Sequence, residues 1–369
     1  MKISNIILLL LLSTFFACNN VAEKKNDVQE LVLQESKDIL PISSFVSKVD
    51  YLELKVADAG VEMGEIEDVK LIGDHLLVKH RMSGRHGFLR FTKNGDFVIE
   101  IAGAKTPRIK NPKDVIAYKD GFAVLADNGI HTVSAEGKYL QQLVRGPMPG
   151  ARFFYADNAF QVLNEQGLGA IRIEFPAPPK DRQMPGHLPK LLQRNTYAGL
   201  EDFGKDGIHY FSVLSDTVFA YSNGVDRPLY VLTGDEMPTF AQVCAQLPDG
   251  NEKKLLKYLR ETEHVVVRKY FENKNYLYLK YWVGSDPTTV LVDKKNGKKR
   301  YFGFGVNDVD GGIWDEAFLL SERNELYIPI TAYKISGHKI SNTKVKGFDR
   351  LQARIAASGN PVIMRCKLR

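Results

Sequence analysis

Short apolar stretches separated by glycine, asparagine and aspartate run along this sequence from about residue 46 to its end. Each stretch is rich in valine, isoleucine, tyrosine, phenylalanine and leucine, and each is about four to eight residues long, the usual length of a β-strand. The stretches fall into sets joined by turn residues. The first set is Glu65–Ile72, His75–Lys79, Gly87–Phe91 and Phe97–Ile101, and the second is Asp114–Tyr118, Gly121–Leu125, Gly129–Val133 and Tyr139–Val144. The pattern therefore predicts an all-β fold made of four-stranded units.

Four weaker sets continue the pattern toward the end of the chain. They are Phe153–Tyr155, Ala159–Asn164 and Gly169–Phe175; Leu200–Phe203, Ile208–Val213, Asp216–Tyr221 and Pro228–Leu232; Val265–Phe271, Tyr276–Tyr281, Thr288–Asp293 and Lys299–Phe302; and Ala317–Ser321, Glu325–Thr331 and Pro361–Leu368. The last set lacks one strand, and Tyr51–Val56 alternates as a strand ahead of the first set. We expect Tyr51–Val56 to pair beside Pro361–Leu368 and close a ring, which removes open sheet edges.

Glycine-containing tight turns recur along the chain and set its repeat. They contain Gly95, Gly137, Gly224 and Gly297, and glycine readily adopts the positive φ that a hairpin turn requires. A repeat of about 40–50 residues with four strands is typical of a β-propeller blade. Six blades would have about 41 residues each once insertions are left out, whereas seven would have about 35, which is short for four strands. The sequence therefore favours a six-bladed β-propeller.

Three insertions interrupt the strand pattern, at about residues 176–195, 235–262 and 337–360. The first is rich in proline and has no regular spacing. The other two contain leucine and isoleucine at helical spacing, within Asn251–Glu263 and Gly347–Ser358, as expected for helices with one apolar face. We expect two short helices packed against one face of the propeller.

The start of the chain has the pattern of an export signal. Lys2 precedes the apolar stretch Ile6–Ala17, which is too short to cross the roughly 30 Å hydrocarbon core of a membrane as a helix. Cys18 directly follows a small residue, and this arrangement resembles a bacterial lipoprotein signal in which the cysteine becomes the lipidated first residue. An ordinary secretory signal cut nearby is the alternative.

This interpretation divides the chain into three parts. Residues 1–17 form a signal peptide, residues 18–45 form a lipidated flexible tether, and residues 46–369 form the propeller. A lipid anchor attaches a protein stably to a membrane when its acyl chains are buried. We therefore expect a protein of the bacterial cell envelope, anchored to a membrane, with the outer membrane favoured and the periplasmic face and the cell surface both left open.

Composition agrees with a large globular protein. The chain has 369 residues, 44% apolar and 25% charged, which excludes general disorder, collagen and a coiled coil. Three cysteines cannot form enough disulfide bonds to stabilise a fold of this size. We therefore interpret Cys244 and Cys366 as buried thiols, and a disulfide bond between them is the alternative. The net charge of +6 is mild, and the basic turn Lys294–Arg300 lacks interleaved aromatic residues. We interpret it as a solvated hairpin and expect no nucleic-acid partner.

Five stretches spread over the folded region carry a family resemblance. They are VDYLELKVADAGVEMGEIEDVKLIGDHLLV (49–78), FLRFTKNGDFVIEIAG (88–103), residues 269–302, NDVDGG (307–312) and GNPVIMRCKLR (359–369). Together they resemble the six-bladed β-propeller lipoproteins of Bacteroides-type bacteria, a group related in architecture to NHL-type propellers. The stretch AGAKTPRIKNP (102–112) departs from the GPGEY-like turn of that group. The resemblance implies export, lipidation and a propeller, and it implies no defined reaction.

The stretch NDVDGGIW is the first candidate site. Asp308 and Asp310 offer carboxylate oxygens of the kind that bind Ca²⁺, although their spacing is not that of an EF-hand. The alternative is a tight turn in which the aspartates accept hydrogen bonds from backbone N–H groups. Trp314 and Trp282 are the two tryptophans, and either could stack on a sugar at a propeller mouth or pack between blades.

Arg81, Arg85 and His86 form the second candidate site. His75 and His80 lie close by in the sequence and invite a metal interpretation, but strand residues five apart point to opposite faces. The two arginines suit an acidic sugar or another anion. The alternative is the polar rim of a hairpin without a ligand.

The sequence carries no recognisable catalytic set. It lacks G-x-S-x-G, H-E-x-x-H, C-x-x-C and P-loop motifs. The leading hypothesis is therefore a non-enzymatic binding or scaffold module for a glycan, peptide or protein, with no cofactor unless Ca²⁺ binds. The alternative is a carbohydrate-active lyase or hydrolase at the mouth of the central channel, which requires converging histidine, tyrosine, arginine or carboxylate groups. A third hypothesis is a docking disc in a larger envelope complex.

Overall fold

The computed structural model describes residues 28–103, 106–148, 150, 152–156, 158–164, 167–172, 199–202, 207–211, 216–234, 265–283, 286–338 and 348–369. The signal peptide, Cys18, Cys244 and the helix expected at Asn251–Glu263 lie outside these residues. The insertions at about residues 176–195 and 235–262 lie outside them as well.

The described chain consists mainly of β-strands, which form six sheets in chain order and one two-stranded pair. Three strands come first: β1 (Gln29–Val32), β2 (Ile39–Pro41) and β3 (Val46–Glu53). Sheet 1 contains β4 (Glu65–Ile72), β5 (His75–Met82), β6 (Arg85–Thr92) and β7 (Phe97–Ala102). Sheet 2 contains β8 (Pro112–Tyr118), β9 (Gly121–Ala126), β10 (Gly129–Ser134) and β11 (Tyr139–Arg145). Sheet 3 contains β12 (Arg152–Ala156), β13 (Ala159–Asn164) and β14 (Gly167–Arg172).

The second half of the chain adds three more sheets. Sheet 4 contains β15 (Gly199–Asp202), β16 (Ile208–Phe211), β17 (Thr217–Ser222), β18 (Val225–Thr233) and the early strand β1. Sheet 5 contains β19 (Val265–Glu272), β20 (Tyr276–Val283), β21 (Asp286–Asp293) and β22 (Lys298–Phe302). The two-stranded pair joins β2 to β23 (Phe304–Val306). Sheet 6 contains β24 (Leu319–Leu320), β25 (Glu325–Ile330), β26 (Val362–Leu368) and β3.

The sheets form a propeller-like ring. Sheets 1, 2, 4, 5 and 6 each have the four antiparallel strands of a propeller blade. Neighbouring sheets touch through their first strands, because β8 contacts β12, β12 contacts β15, β15 contacts β19, and β19 contacts β24. The first strand of each sheet therefore lies innermost. The prediction of an all-β, propeller-like fold is confirmed.

The two ends of the ring meet in sheet 6, as predicted. The C-terminal strand β26 pairs antiparallel with β3, with Val362 opposite Glu53. Leu52 and Ile363 extend from this sheet into an apolar core that they share with Val69 of sheet 1. The last sheet is thus packed directly on the first, and the ring is closed by strand pairing as well as by apolar contact.

The closing strand covers Val46–Glu53 rather than the expected Tyr51–Val56. After Leu54 the chain leaves the sheet, and the backbone N–H groups of Val56 and Ala57 donate to the Asn360 side chain at 3.2 and 3.0 Å. An apolar, alternating stretch predicts a strand, but this side-chain hydrogen bonding ends the strand earlier.

The folded part also begins earlier than expected. Residues 28–45 were assigned to a flexible tether, but β1 pairs in parallel with β18, and β2 pairs in parallel with β23. Leu31 and Leu33 are both buried in the core between sheets 4 and 5. Two leucines at strand spacing give this polar segment one apolar face, so the tether assignment is corrected for residues 28–45.

Within the part of the chain that the structure describes, the α-helices are α1 (Ala332–Gly337) and α2 (Phe348–Ser358). In α2, Phe348, Leu351 and Ile355 lie on one buried face against the core of sheet 6, which confirms the helix expected at Gly347–Ser358. The short α1 was not predicted, because its sequence has too few residues to show a helical period. Within the described residues, no helix has both the length and the apolar character needed to cross a membrane.

The four predicted glycine turns are confirmed. Gly95, Gly137, Gly224 and Gly297 have φ values of 83°, 76°, 79° and 69°. Glycine occupies these positions because the Cβ atom of any other residue is sterically strained at positive φ. Cys366 is a free, buried thiol, and burial raises its pKa.

Candidate functional site

A cavity of about 1240 Å³ lies at the centre of the ring. It is lined where the innermost strands end and the following turns begin. Its charged and aromatic lining includes Lys70, Tyr118, Arg152, Tyr155 and Glu201. These residues come from sheets 1 to 4, while sheet 5 supplies Phe271 and sheet 6 supplies both apolar and charged residues. The described sheets therefore contribute jointly to one open cavity, which makes it the candidate functional site.

Four charged residues from three sheets form a cluster that we call the charged floor: Asp68, Lys70, Asp114 and Arg152. Arg152 Nη1 lies 2.7 Å from Asp68 Oδ2 and 3.5 Å from Asp114 Oδ1, and the Lys70 ammonium donates to Asp114. Asp114 Oδ2 also accepts a hydrogen bond from the backbone N–H of Phe153 at 3.1 Å. Both aspartates and Arg152 are at least nine-tenths buried.

The charged floor is internally balanced, with two cations and two anions. Burial lowers the pKa of Lys70, and the negative charge of Asp114 offsets only part of this lowering. Removing one partner from such a buried network leaves an uncompensated charge, which typically costs about 3–5 kcal/mol. The floor thus ties sheets 1, 2 and 3 together beside the cavity.

Glu201 lies beside the charged floor on the innermost strand of sheet 4. It lines the cavity and keeps part of its surface accessible. Among the residues that the structure describes, none forms a hydrogen bond or an ion pair with its carboxyl group. Burial raises the pKa of Glu201 well above the ordinary carboxyl range, against the lowering effect of Arg152.

An aromatic wall flanks the same cavity. Tyr118 and Tyr155 meet edge-to-face, with ring centroids 5.1 Å apart at an angle of 80°, and Tyr155 remains 41% exposed. Phe154 and Tyr221 make a second edge contact at 5.5 Å. The Lys119 ammonium lies 5.3 Å from the centre of the Tyr118 ring, which is within cation–π range. The cavity therefore combines polar groups with flat apolar surface.

A second buried charge joins sheets 4 and 5. The Glu272 carboxylate receives hydrogen bonds from Tyr230, from Tyr270 and from Lys294, and its Oε2 lies 2.7 Å from His209 Nδ1. Burial raises the pKa of Glu272, but the hydrogen bond from His209 and the charge of Lys294 outweigh it and hold the pKa at about 2. Lys294 therefore points inward, which corrects its assignment to a solvated hairpin, whereas Lys295, Lys298 and Lys299 are exposed.

The predicted arginine and histidine site lies on the hairpin of β5 and β6. Arg81 pairs with Glu65 at 2.5 Å, and His86 Nδ1 lies 2.6 Å from Glu67 Oε2. Arg85 is exposed at the turn. These ion pairs engage Arg81 and His86 within sheet 1, which favours the interpretation as a hairpin rim.

The predicted aspartate turn lies after β23. Asp308 accepts hydrogen bonds from the backbone N–H and the hydroxyl of Ser43, and Asp310 accepts one from the Gly312 N–H at 2.9 Å. Trp314 packs edge-on against Phe45 on the apolar core. Within the described residues, no cluster of three or more histidine, cysteine or carboxylate side chains has the geometry to hold a metal ion.

The cavity residues were missed by the sequence analysis, and none of the six predicted ligand-binding residues lines the cavity. A signal was nevertheless present. The innermost strands of sheets 1, 2, 3 and 4 carry Lys70, Asp114, Arg152 and Glu201 among their charged residues. A charged residue within a buried strand is costly unless it is paired or functional, so comparing the charged positions in the first strand of each set would have included these four.

Comparison with known proteins identifies the fold without naming a function. No family model matches the chain, and no curated protein sequence matches it. The chain is similar to a solved structure from Bacteroides fragilis that is provisionally described as an exported protein, with a TM-score of 0.66 and 13% identity over 92% of this chain and 100% of that chain. At this identity the likeness shows a shared fold.

Two weaker likenesses are to structures from Bacteroides thetaiotaomicron. One is a protein of unknown function, with a TM-score of 0.45 and 8% identity, covering 87% of this chain and 76% of that chain. The other is the extracellular domain of a protein provisionally described as a one-component system, with a TM-score of 0.40 and 10% identity, covering 76% of this chain and 32% of that chain. The fold of this chain is therefore shared, over nearly its whole length, with a structure from a Bacteroides species.

Proposed function

We propose that this protein is an exported, lipid-anchored, six-bladed β-propeller that binds a glycan, a peptide or a protein segment in its central cavity. The observation that carries the proposal is the cavity of about 1240 Å³, lined by charged and aromatic side chains from successive sheets. A space of this kind, with a few convergent polar groups, is the usual form of a ligand site.

Sheet 3 supports the count of six blades. It follows sheet 2 and precedes sheet 4 in the chain, and its first strand β12 contacts both β8 and β15. That is the position of a blade in the ring. With sheet 3 counted as a blade, the glycine repeat and the closing of sheet 6 by β3 agree with six blades.

Export and anchoring are supported by the sequence and by the shared fold. The apolar stretch Ile6–Ala17 and the cysteine that follows it resemble a lipoprotein signal. The structure with the similar fold comes from a protein provisionally described as exported. We infer attachment through Cys18 to a membrane of the cell envelope.

A lyase or hydrolase acting in the same cavity is the second candidate, and Glu201 is the observation that favours it. A carboxyl group whose pKa is raised by burial suits a general acid. The carboxylates whose charges act on Glu201 are Glu272 and Asp68. Glu272 is engaged by His209 and Lys294 and Asp68 by Arg152, so neither offers a free second acid–base group. Binding is therefore favoured over catalysis, and incubation of a bound glycan followed by chain-length analysis separates the two.

A matched pair of variants tests the cavity as the binding site. Ala117 is exposed on β8 and lines the cavity, so Ala117→Trp fills part of the space without disturbing a core. Ala59 is exposed elsewhere on the surface, so Ala59→Trp is the control. Glycan arrays and peptide libraries are screened with the wild-type protein and both variants. We expect a ligand whose binding is lost only in Ala117→Trp.

Two results of this screen contradict the proposal. If a ligand binds equally well to both variants, the cavity is not its site. If no glycan or peptide binds the wild-type protein at all, the protein is not a binding module for these classes.

A further inference from the structure

The cavity presents two complementary surfaces, a polar one around Glu201 and a flat apolar one at Tyr155. Building on the proposed binding function, we propose that its ligand is a saccharide, with hydroxyl groups bound by Glu201 and Lys70 and one sugar ring lying against Tyr155. Each contact rests on a separate feature of the described residues.

Glu201 is the central feature because its carboxyl group lacks a partner among the described residues. It faces the cavity from deep within the ring. Part of its surface is accessible, so its carboxyl group can reach a ligand in the cavity. A ligand hydroxyl both donates and accepts, so it can pair with the Glu201 carboxyl group in either protonation state.

Lys70 supplies a second polar contact, and its charge acts on Glu201. Its ammonium has three N–H donors, and the described partners are the Asp114 carboxylate and the Val115 carbonyl oxygen. Its side chain remains 21% exposed and lines the cavity. A third donor is thus available to a ligand oxygen while the ion pair with Asp114 stays intact.

Tyr155 supplies the apolar contact. Its described ring neighbours, Tyr118 and Phe160, both meet it at steep angles of 80° and 60°. No described ring is stacked flat on Tyr155, and the residue is 41% exposed. The neighbours hold the ring in one orientation and leave apolar area for the C–H face of a sugar ring, whose burial is favourable.

A saccharide fits this combination better than a peptide does. The charged floor has cations and anions in balance, so it selects no strongly charged ligand. An apolar peptide side chain would displace water from Lys70 and Glu201 without replacing the hydrogen bonds, which is costly. A chain of sugar units replaces them with hydroxyl groups and still offers an apolar face to Tyr155.

The test uses the full chain carrying Cys18→Ser, so that every protein is soluble without detergent. The probes are short linear oligosaccharides of glucose, mannose, xylose and galacturonic acid, together with a mixture of short peptides, and affinity is measured by titration calorimetry. We expect at least one oligosaccharide to bind. We expect Glu201→Leu and Tyr155→Ala each to weaken it at least about tenfold, or about 1.4 kcal/mol.

Two further variants separate ligand contacts from structural effects. Glu201→Gln places at this position an amide of nearly the same shape that donates and accepts hydrogen bonds, so its affinity should stay within about threefold of wild type. Tyr333 is 86% exposed on α1 and does not line the cavity, so Tyr333→Ala should bind as the wild type does. Thermal unfolding of each variant shows whether it is folded.

The outcomes distinguish this inference from the proposed function. If only peptides bind, and Ala117→Trp abolishes that binding, the saccharide assignment is wrong while the binding function stands. If an oligosaccharide binds but folded Glu201→Leu and Tyr155→Ala retain full affinity, the assigned contacts are wrong. If no probe binds, both proposals fail.

Discussion

At the scale of single residues, buried charges determine how the sheets are held together. Glu272 accepts hydrogen bonds from two tyrosines and lies between His209 and Lys294. Asp114 plays the same part between sheets 1, 2 and 3. A buried carboxylate is tolerated only when its oxygens are paired in this way. These residues therefore link neighbouring blades by charge where apolar contact alone would leave the relative position of the sheets less defined.

Glu272 gives a prediction about acid stability. Its pKa is held at about 2, below the ordinary value of 4.5, so the folded state favours the carboxylate. This stabilisation is fully present above about 4.5 and is lost as the pH falls toward 2. We expect Glu272→Gln to lower the free energy of unfolding at pH 7 by about 3 kcal/mol and to flatten the pH dependence between pH 4.5 and 2.

Denaturant unfolding at a series of pH values measures both effects. Glu62→Gln is the control, because Glu62 is exposed, and exposed substitutions usually change stability by less than about 0.5 kcal/mol. An unchanged acid dependence in Glu272→Gln would show that Glu272 does not link folding to pH.

At the scale of elements, the glycine turns divide into two kinds. Gly95 and Gly224 both have positive φ, but their surroundings differ. A Cβ atom at Gly95 would lie 1.9 Å from the Glu53 carbonyl oxygen, whereas a Cβ atom at Gly224 would meet nothing within 4 Å. The Gly95 turn therefore both reverses the chain and lets sheet 1 approach the closing strand β3.

These two turns give a matched prediction. We expect Gly224→Ala to lower the free energy of unfolding by about 1 kcal/mol, because a residue with a Cβ atom is strained at positive φ. We expect Gly95→Ala to cost at least about 2 kcal/mol, because the clash with Glu53 adds to the backbone strain. Equilibrium unfolding of both variants measures the difference. Equal losses would mean that the loop at Gly95 relaxes away from β3 without cost.

The elements also show how far local sequence patterns extend. The alternation of apolar and polar residues predicted the four strands of sheet 1. A different pattern predicted the helix α2, because Leu351 and Ile355 repeat at the helical period. The segment at Leu31 and Leu33 was misjudged, since its polar neighbours hide two apolar residues at strand spacing. Such a short strand is stable only because it finds a partner in β18, which no local pattern reveals.

At the scale of the whole molecule, the early strand β3 and the last strand β26 lie in one sheet. The pairing of β3 with β26 and the shared core of Leu52, Ile363 and Val69 join sheet 6 to sheet 1. Closure of this kind removes the open edges on which sheets aggregate. It also bounds the cavity, because the innermost strands then surround one space.

The anchor is predicted at this scale as well. We expect the wild-type protein to be labelled with radioactive palmitate and to sediment with membranes, because acyl chains at Cys18 would hold it there. Cys18→Ser should be unlabelled and soluble. Cys366→Ala is the control, because Cys366 is a buried thiol in β26 and its loss should leave labelling unchanged. Labelling of Cys18→Ser would place the lipid elsewhere.

The sequence by itself determined most of the strands from β4 onward and the glycine turns, because alternation and positive φ are properties of neighbouring residues. It also determined that Asp308 and Asp310 could serve as turn residues. Only the tertiary structure brought Lys70, Arg152, Tyr155 and Glu201 to one cavity, since these residues lie on different sheets. The physical reason is that a ring places the ends of distant strands around a common centre, so a site built from one or two residues of each sheet leaves no spacing pattern along the chain.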